Sequence, residues 1–259
     1  MTGLPAIIQA LEPIEGGWRG HIPDDWLQGR TAYGGLSTAI ALHAAKASDG
    51  DLPPLRSAQV SFIGPLAGEV MIRASRLRRG RNAAFIQADV ESEAGLGLRA
   101  VFVFMRDQQS RIDHVAGQAP DFARPGPGDR VYSGTDRSPG FIRNFEFVDR
   151  RDPGADPAEW LRWVRVKDRA GLDPEVELAL IGDCLPPAAM RLAREFLPLS
   201  SLTWLLNLLG PVPVTADGWW LLRARTAYAR AGSSSQDMGI WSADGTPVAE
   251  QMQSVAIFG

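Results

Sequence analysis

One cysteine, Cys184, stands among 259 residues, so the chain can form no internal disulfide and no zinc site built from several thiolates. Histidine is almost as scarce. His21, His43 and His114 lie far apart and show no metal-ligand spacing. No run approaches the roughly 20 apolar residues of a membrane-spanning helix. Neither sign of charge dominates: 27 Lys and Arg face 30 Asp and Glu, and a net charge of −3 gives no global pull toward nucleic acid or an anionic membrane. Neither a Gly-x-Gly-x-x-Gly nor a P-loop pattern occurs. The opening MTGLPAIIQALEPIEGG lacks a basic stretch followed by a long apolar one, so the expected location is the cytoplasm.

What remains is an ordinary globular composition, 45% apolar and 22% charged, with length enough for one large domain or two small ones. Tyr33–Ala47 is rich in Ala and Leu at helical spacing, entered through Gly34 and Gly35. Its small residues on nearly all sides predict a helix packed closely all round. Four strands are expected next. Leu55–Leu66 ends in Gly64-Pro65, and Glu69–Arg79 and Ala83–Ser92 alternate around a Gly80-Arg81-Asn82 turn. Leu96–Met105 reads as more buried. Residues 107–140 are punctuated by Pro, Gly, Asp and Ser and read as a linker. Beyond it the spacing predicts strands over Phe141–Arg150 and Trp160–Lys167, then a helix over Asp183–Phe196 with Pro186 and Pro187 in its first turn. Further strands are expected over Ser200–Val212, Trp219–Arg230, Gln236–Ser242 and Val248–Phe258.

The second half thus repeats the order of the first. FIGPL at Phe62–Leu66 matches LLGPV at Leu208–Val212, and setting Gly34 on Asp183 brings Leu36 onto Leu185 and Ala39 onto Ala188. The expected architecture is α+β: two tandem units, residues 1–106 and 141–259, each an antiparallel sheet wrapped around a central helix. Such a unit leaves a sheet edge that wants a partner. A fused pair supplies one within the chain, and the edges still open make a homodimer or higher assembly the further expectation.

At this point the sequence resembles a known family, the acyl-CoA thioesterase II type and its wider superfamily of double hotdogs. QGRTAYGGLSTAIALHAA, Gln28–Ala45, is similar to the family's entry into the first hotdog helix, and GDCLPPAA, Gly182–Ala189, to its second. SSLTWLLNLLGP, Ser200–Pro211, and the C-terminal WLLRARTAYARAGSSSQDMGIWSADGTPVAEQMQSVAIF follow in the family's order. The resemblance implies hydrolysis of an acyl-CoA, with no cofactor and no metal. It places the catalytic trio on Asp183, Ser201 and Gln253, with Ser200 and Gln251 as neighbouring alternatives. Tyr33, Gly34 and Gly35 become the expected substrate-binding residues. Asn207 departs from the pattern, standing where many relatives have His.

The chemistry is reasonable for these residue types. A carboxylate can deprotonate water, and a hydroxyl and an amide can fix its angle of attack on a thioester carbonyl. Glycines at a helix start let a ligand approach free backbone N–H groups that favour an oxyanion. Each residue also has a structural reading. Asp183 suits a helix N-cap, Ser201 a surface strand, Gln253 a solvent-facing strand position, and Gly34-Gly35 close helix packing. His43 reads as a core or groove histidine. Cys184 has no basic partner in sequence and reads as structural. RLRRGR, Arg76–Arg81, fits either coenzyme A phosphates or a solvated turn, and Trp204, Trp219, Trp220 and Trp241 either a pocket or core. A non-catalytic acyl carrier is the competing function. A hotdog hydratase would want a His beside the acid, and none lies near Asp183 in sequence.

Overall fold

The computed structural model describes residues 1–150, 156–193, 195 and 197–258. A short helix α1 (Leu4–Gln9) leads into strands β1 (Glu12–Ile14) and β2 (Gly17–Ile22), the small hairpin β3 (Leu27–Gln28) and β4 (Thr31–Ala32), and helix α2 (Gly34–Ser48). Four long strands follow: β5 (Leu55–Phe62), β6 (Gly68–Arg79), β7 (Ala83–Ser92) and β8 (Gly95–Met105). After the linker come β9 (Phe145–Val148), β10 (Glu159–Val166), helix α3 (Pro174–Gly182), and β11 (Leu199–Leu208), β12 (Trp220–Arg230), β13 (Ser233–Ser242) and β14 (Pro247–Ile257). The expected strands in both halves are present, with ends moved by a few residues.

The expectation of two sheets is corrected. Among the described residues, 12 strands form one sheet in the order β1-β2-β6-β7-β8-β5-β11-β14-β13-β12-β10-β9. From the β5–β11 junction outward, both directions run through equivalent strands: β5, β8, β7, β6, β2 on one side and β11, β14, β13, β12, β10 on the other. The junction is an ordinary antiparallel ladder, Thr203↔Ser61 through Asn207↔Ser57. One edge of each half is taken up by the other, and β1 and β9 form the outer edges of the shared sheet. Ser57 Oγ also meets Asn207 Oδ1 at 3.0 Å across this seam.

The second helix is not where the spacing put it. Residues 183–196 hold only a 3-10 turn, Ala188–Arg191, with Arg194 and Phe196 outside the described residues. Each proline pushes the residue before it, Leu185 and Pro186, out of the helical region, and Pro187 is itself extended at ψ 127°, so no helix runs on from Asp183. The helix precedes them. Asp173 caps α3 by accepting the N–H of Glu175 at 2.9 Å and of Val176 at 3.3 Å, and Pro174 occupies the first turn. Every residue from Val176 to Gly182 is buried. Asp183 is therefore the C-cap of α3 rather than the N-cap of a later helix. The match of Gly34 with Asp183 fails with it, since helix start corresponds to helix end.

Both helices lie on the inner face of the sheet and run antiparallel to each other. The start of α2 meets the end of α3, where a Cβ on Gly35 would collide with Leu180 O. At the other end, Lys46 of α2 donates to Asp173 Oδ2 and Glu175 Oε2, both at 2.6 Å. Residues 117–123 pack on the outer face of the second half. Trp163 Nε1 donates to Ala123 O at 3.0 Å and Trp241 Nε1 to Gly117 O at 2.7 Å, beside a small cluster of Val148, Trp163, Trp219, Leu221 and Trp241. Trp219 and Trp241 thus serve a second core behind the sheet, whereas Trp204 and Trp220 belong to the main one.

Lys46 holds two acidic groups at the helix–helix crossing, and Glu175 is well buried. Lys46→Ala is expected to cost about 1–2 kcal/mol of stability, the partial exposure of the cluster keeping the loss below that of a fully buried pair. The urea unfolding midpoint measures it.

Candidate active site

The end of α3 delivers Asp183 to the start of α2. Gln253 Nε2 donates to its Oδ1 at 2.8 Å, and Oδ2 lies against Gly34 at the helix start. Tyr33, Gly34 and Gly35 form the wall opposite. A Cβ on Gly34 would stand 2.6 Å from Asp183 Oδ2 and 2.8 Å from Phe62 Cε1, so only glycine lets the helix start come this close. Gly35 is equally confined, by Leu180 O and the Tyr33 hydroxyl.

Gln253 is not solvent-facing. It is 2% exposed, on the inner face of β14 with Gln251 and Val255. Gln251, the alternative two residues away, accepts from Trp204 Nε1 at 2.8 Å and belongs to that contact. Ser201 stands opposite Val255, and Trp204 opposite Gln253, so Ser201 shares the inner face one rung farther along β11, past a bulge between Ser201 and Thr203. It is half-buried, whereas Ser200 is exposed. Asn207 is exposed on the outer face of β11, away from Trp204 and Gln253.

Tyr33 is 1% exposed, and its ring stacks on Phe141 with centroids 4.3 Å apart. Its hydroxyl donates to Leu180 O at 2.7 Å. Both ring and hydroxyl are committed to protein, and burial pushes its pKa well up. Cys184 is buried beside it, and burial likewise pushes its thiol far above the ordinary range, the opposite of a reactive nucleophile. His43 is half-buried at the far end of α2, where burial lowers its pKa. Arg76 and Arg79 are engaged at that same end. Arg79 donates to Asp49 Oδ1 at 2.9 Å, Gly50 O at 2.8 Å and Asp51 O at 2.7 Å, pinning the loop after α2.

Burial raises the pKa of Asp183 to about 7, against the lowering effect of the hydrogen bonds from Gln253 and Gly35. The residue keeps part of its surface open. The pKa lies near neutrality, between acid and base. A concavity of about 420 Å³ lies elsewhere, lined by Glu146, Arg165, Lys167, Arg169 and Asp217 among others, none of which touches this carboxyl group.

One participant escaped the sequence reading. Gln236 of β13 is 1% exposed, pairs in register with Gln253, and donates from Nε2 to Gln253 Oε1 at 2.7 Å. Its own Oε1 accepts the N–H of Ala188 at 3.0 Å. The signal was available: Gln236 sits in the inward file of β13 with Met238 and Ile240, a polar residue in an apolar row. The first half has no counterpart. When the two Gly-Pro corners are matched, Ala58 corresponds to Trp204, and the residues across from Ala58 are Phe102 and then Ile86, both fully buried, where the second half has Gln253 and Gln236.

The fold is that of hotdog proteins. Over 100% of its length the chain superimposes on 99% of a conserved hot dog protein of unknown function from Alicyclobacillus acidocaldarius, with TM-score 0.85 and 20% identity. A Thermobifida fusca protein described as a thioesterase II gives TM-score 0.82 at 20% identity, covering 100% of this chain and 98% of that one. The acyl-CoA thioesterase II TesB2 of Mycobacterium marinum gives 0.74 at 19%, covering 96% and 95%. Sequence comparison with curated proteins finds no match. Residues 22–105 match the model of the acyl-CoA thioesterase N-terminal domain, and residues 114–257 that of the C-terminal domain. The chain belongs to the acyl-CoA thioesterase family.

Two outcomes follow from this geometry. Gly34→Ala and Gly35→Ala each force the helix start off its neighbours and are expected to cost about 1–3 kcal/mol, read from thermal unfolding. Asp183 holds its proton more tightly folded than unfolded. Its contribution to stability is therefore full below the unfolded carboxyl value near 4. It is lost as pH rises toward about 7 and is flat above that. Asp183→Asn removes this dependence, so urea midpoints of wild type relative to the variant should fall between about pH 4 and 7.

Proposed function

We propose that this protein hydrolyses an acyl-CoA thioester to the free acid and coenzyme A, with water as nucleophile and Asp183 as general base. The observation that carries the reading is the Asp183 carboxyl group: it accepts from Gln253 Nε2, lies against the glycine start of α2, and has its pKa raised by burial to about 7. Asp183 takes a proton from water as the oxygen attacks the thioester carbon. The tetrahedral oxyanion collapses, the carbon–sulfur bond breaks, and the departing thiolate recovers the proton from Asp183. Acyl-CoA and water give acid and thiol, with no covalent enzyme intermediate.

Ser201, on the inner face one rung past Gln253, is assigned to fix the water with Gln253. The oxyanion role is assigned to the free N–H groups at the start of α2, where Gly34 lies against Asp183. Tyr33 is assigned to the scaffold, holding the start of α2 on the end of α3. We read residues 1–106 and 141–259 as two hotdog units joined by the 107–140 linker and sharing one sheet, with one active site per pair. The polar side chains at the site come from the second unit and the helix start from the first.

The test is thiol release from short, medium, long and aromatic acyl-CoAs. Release is expected with at least one class, with kcat/KM rising through about pH 7 and Asp183→Asn slower by about 10²–10⁴. Silence across the panel, or a variant as fast as wild type, would overturn the hydrolase reading. Binding without release would mark a carrier.

A further inference from the structure

The hydrogen bonds that reach Asp183 form a chain with a fixed direction: Ala188 N–H to Gln236 Oε1, Gln236 Nε2 to Gln253 Oε1, Gln253 Nε2 to Asp183 Oδ1. A side-chain amide offers an acceptor on one side and donors on the other, and it can turn over. A backbone N–H cannot; it only donates. Ala188 therefore decides which way Gln236 faces, and Gln236 decides which way Gln253 faces. Reversing either amide would set N–H against N–H in a buried row, where both glutamines are at most 2% exposed.

We propose that Gln236 is a positioning residue for the site: braced on the Ala188 N–H, it locks Gln253 with its amide nitrogen toward Asp183, so that this carboxyl group always receives a donor. Without Gln236, Gln253 is free to rotate its oxygen toward the acid. The turn that begins at Ala188 is thereby tied, through β13 and β14, to the protonation of Asp183. The titratable groups facing Asp183 are Tyr33 and Cys184. Both are held neutral by burial, so neither supplies charge that could substitute for the donor.

The catalytic consequence rests on the hydrolase reading, but the lock itself is measurable without substrate. Carboxyl-carbon NMR titration of Asp183 is expected to shift upward by about one unit in Gln236→Met, through loss of the oriented donor. Gln236→Glu should move it farther. An ionised Glu keeps the bond from Ala188, has no N–H for Gln253, and invites that amide to turn around. A folded variant whose Asp183 titrates as in wild type would overturn the proposal. Should both variants fail to fold, the side-chain amide protons of Gln236 and Gln253 in the unmodified protein give the answer. Both are expected to shift with the Asp183 midpoint, and amides indifferent to that titration would overturn it. A shifted Asp183 in a protein that releases no thiol would keep the lock and reject the hydrolase.

Discussion

The carboxyl group of Asp183 pressed against the first turn of α2 is the contact around which the other polar placements make sense. It requires a helix start without side chains, hence Gly34 and Gly35. It requires α3 to end where it does, hence the antiparallel crossing that Tyr33 ties at one end and Lys46 at the other. It also requires donors within the apolar interior, because a carboxyl group removed from water and left unpartnered is costly. Gln253 supplies one, and Gln236 satisfies the rest of Gln253. A polar row of this kind is sound only when each link is satisfied, and this one terminates in backbone.

Strand alternation and turn signals made most of the sheet readable. β7 falls where its alternating Ile86, Ala88 and Val90 put it, and α2 is displaced by one residue from the Ala-rich run that announced it. Two errors share one physical cause. The helix α3 is buried on all sides, so its residues Val176–Gly182 carry no periodic contrast between faces. The prolines downstream looked like a first turn when they mark a stop. Asp183 was consequently assigned to a helix start, while the glycines it packs against begin a different helix more than a hundred residues earlier. The union of both halves in one sheet was also illegible, since strand pairing between β5 and β11 is set by tertiary docking and leaves no local trace.

The residues singled out for the site divide along similar lines. Asp183, Gly34, Gly35 and Gln253 converge, and Ser201 lies on the same face. Tyr33 turns inward to the core. Gln236 stood only as the first residue of an expected strand, and the register of β13 against β14 is what sets it beside Gln253. Its significance comes from cross-strand pairing, which is where sheet side chains find their neighbours.

The β5–β11 ladder has a further consequence. In a symmetric dimer of identical units, every substitution appears twice, and the two halves part on dilution. Here the pairing is intramolecular. It does not weaken as the protein becomes scarce, and the two copies of each position are free to differ. Phe102 and Ile86 can keep these positions of the first half apolar while Gln253 and Gln236 burden only the second. Joining the chains releases each half from serving two masters: one keeps the structure firm, and the other can carry the strain of a buried polar row.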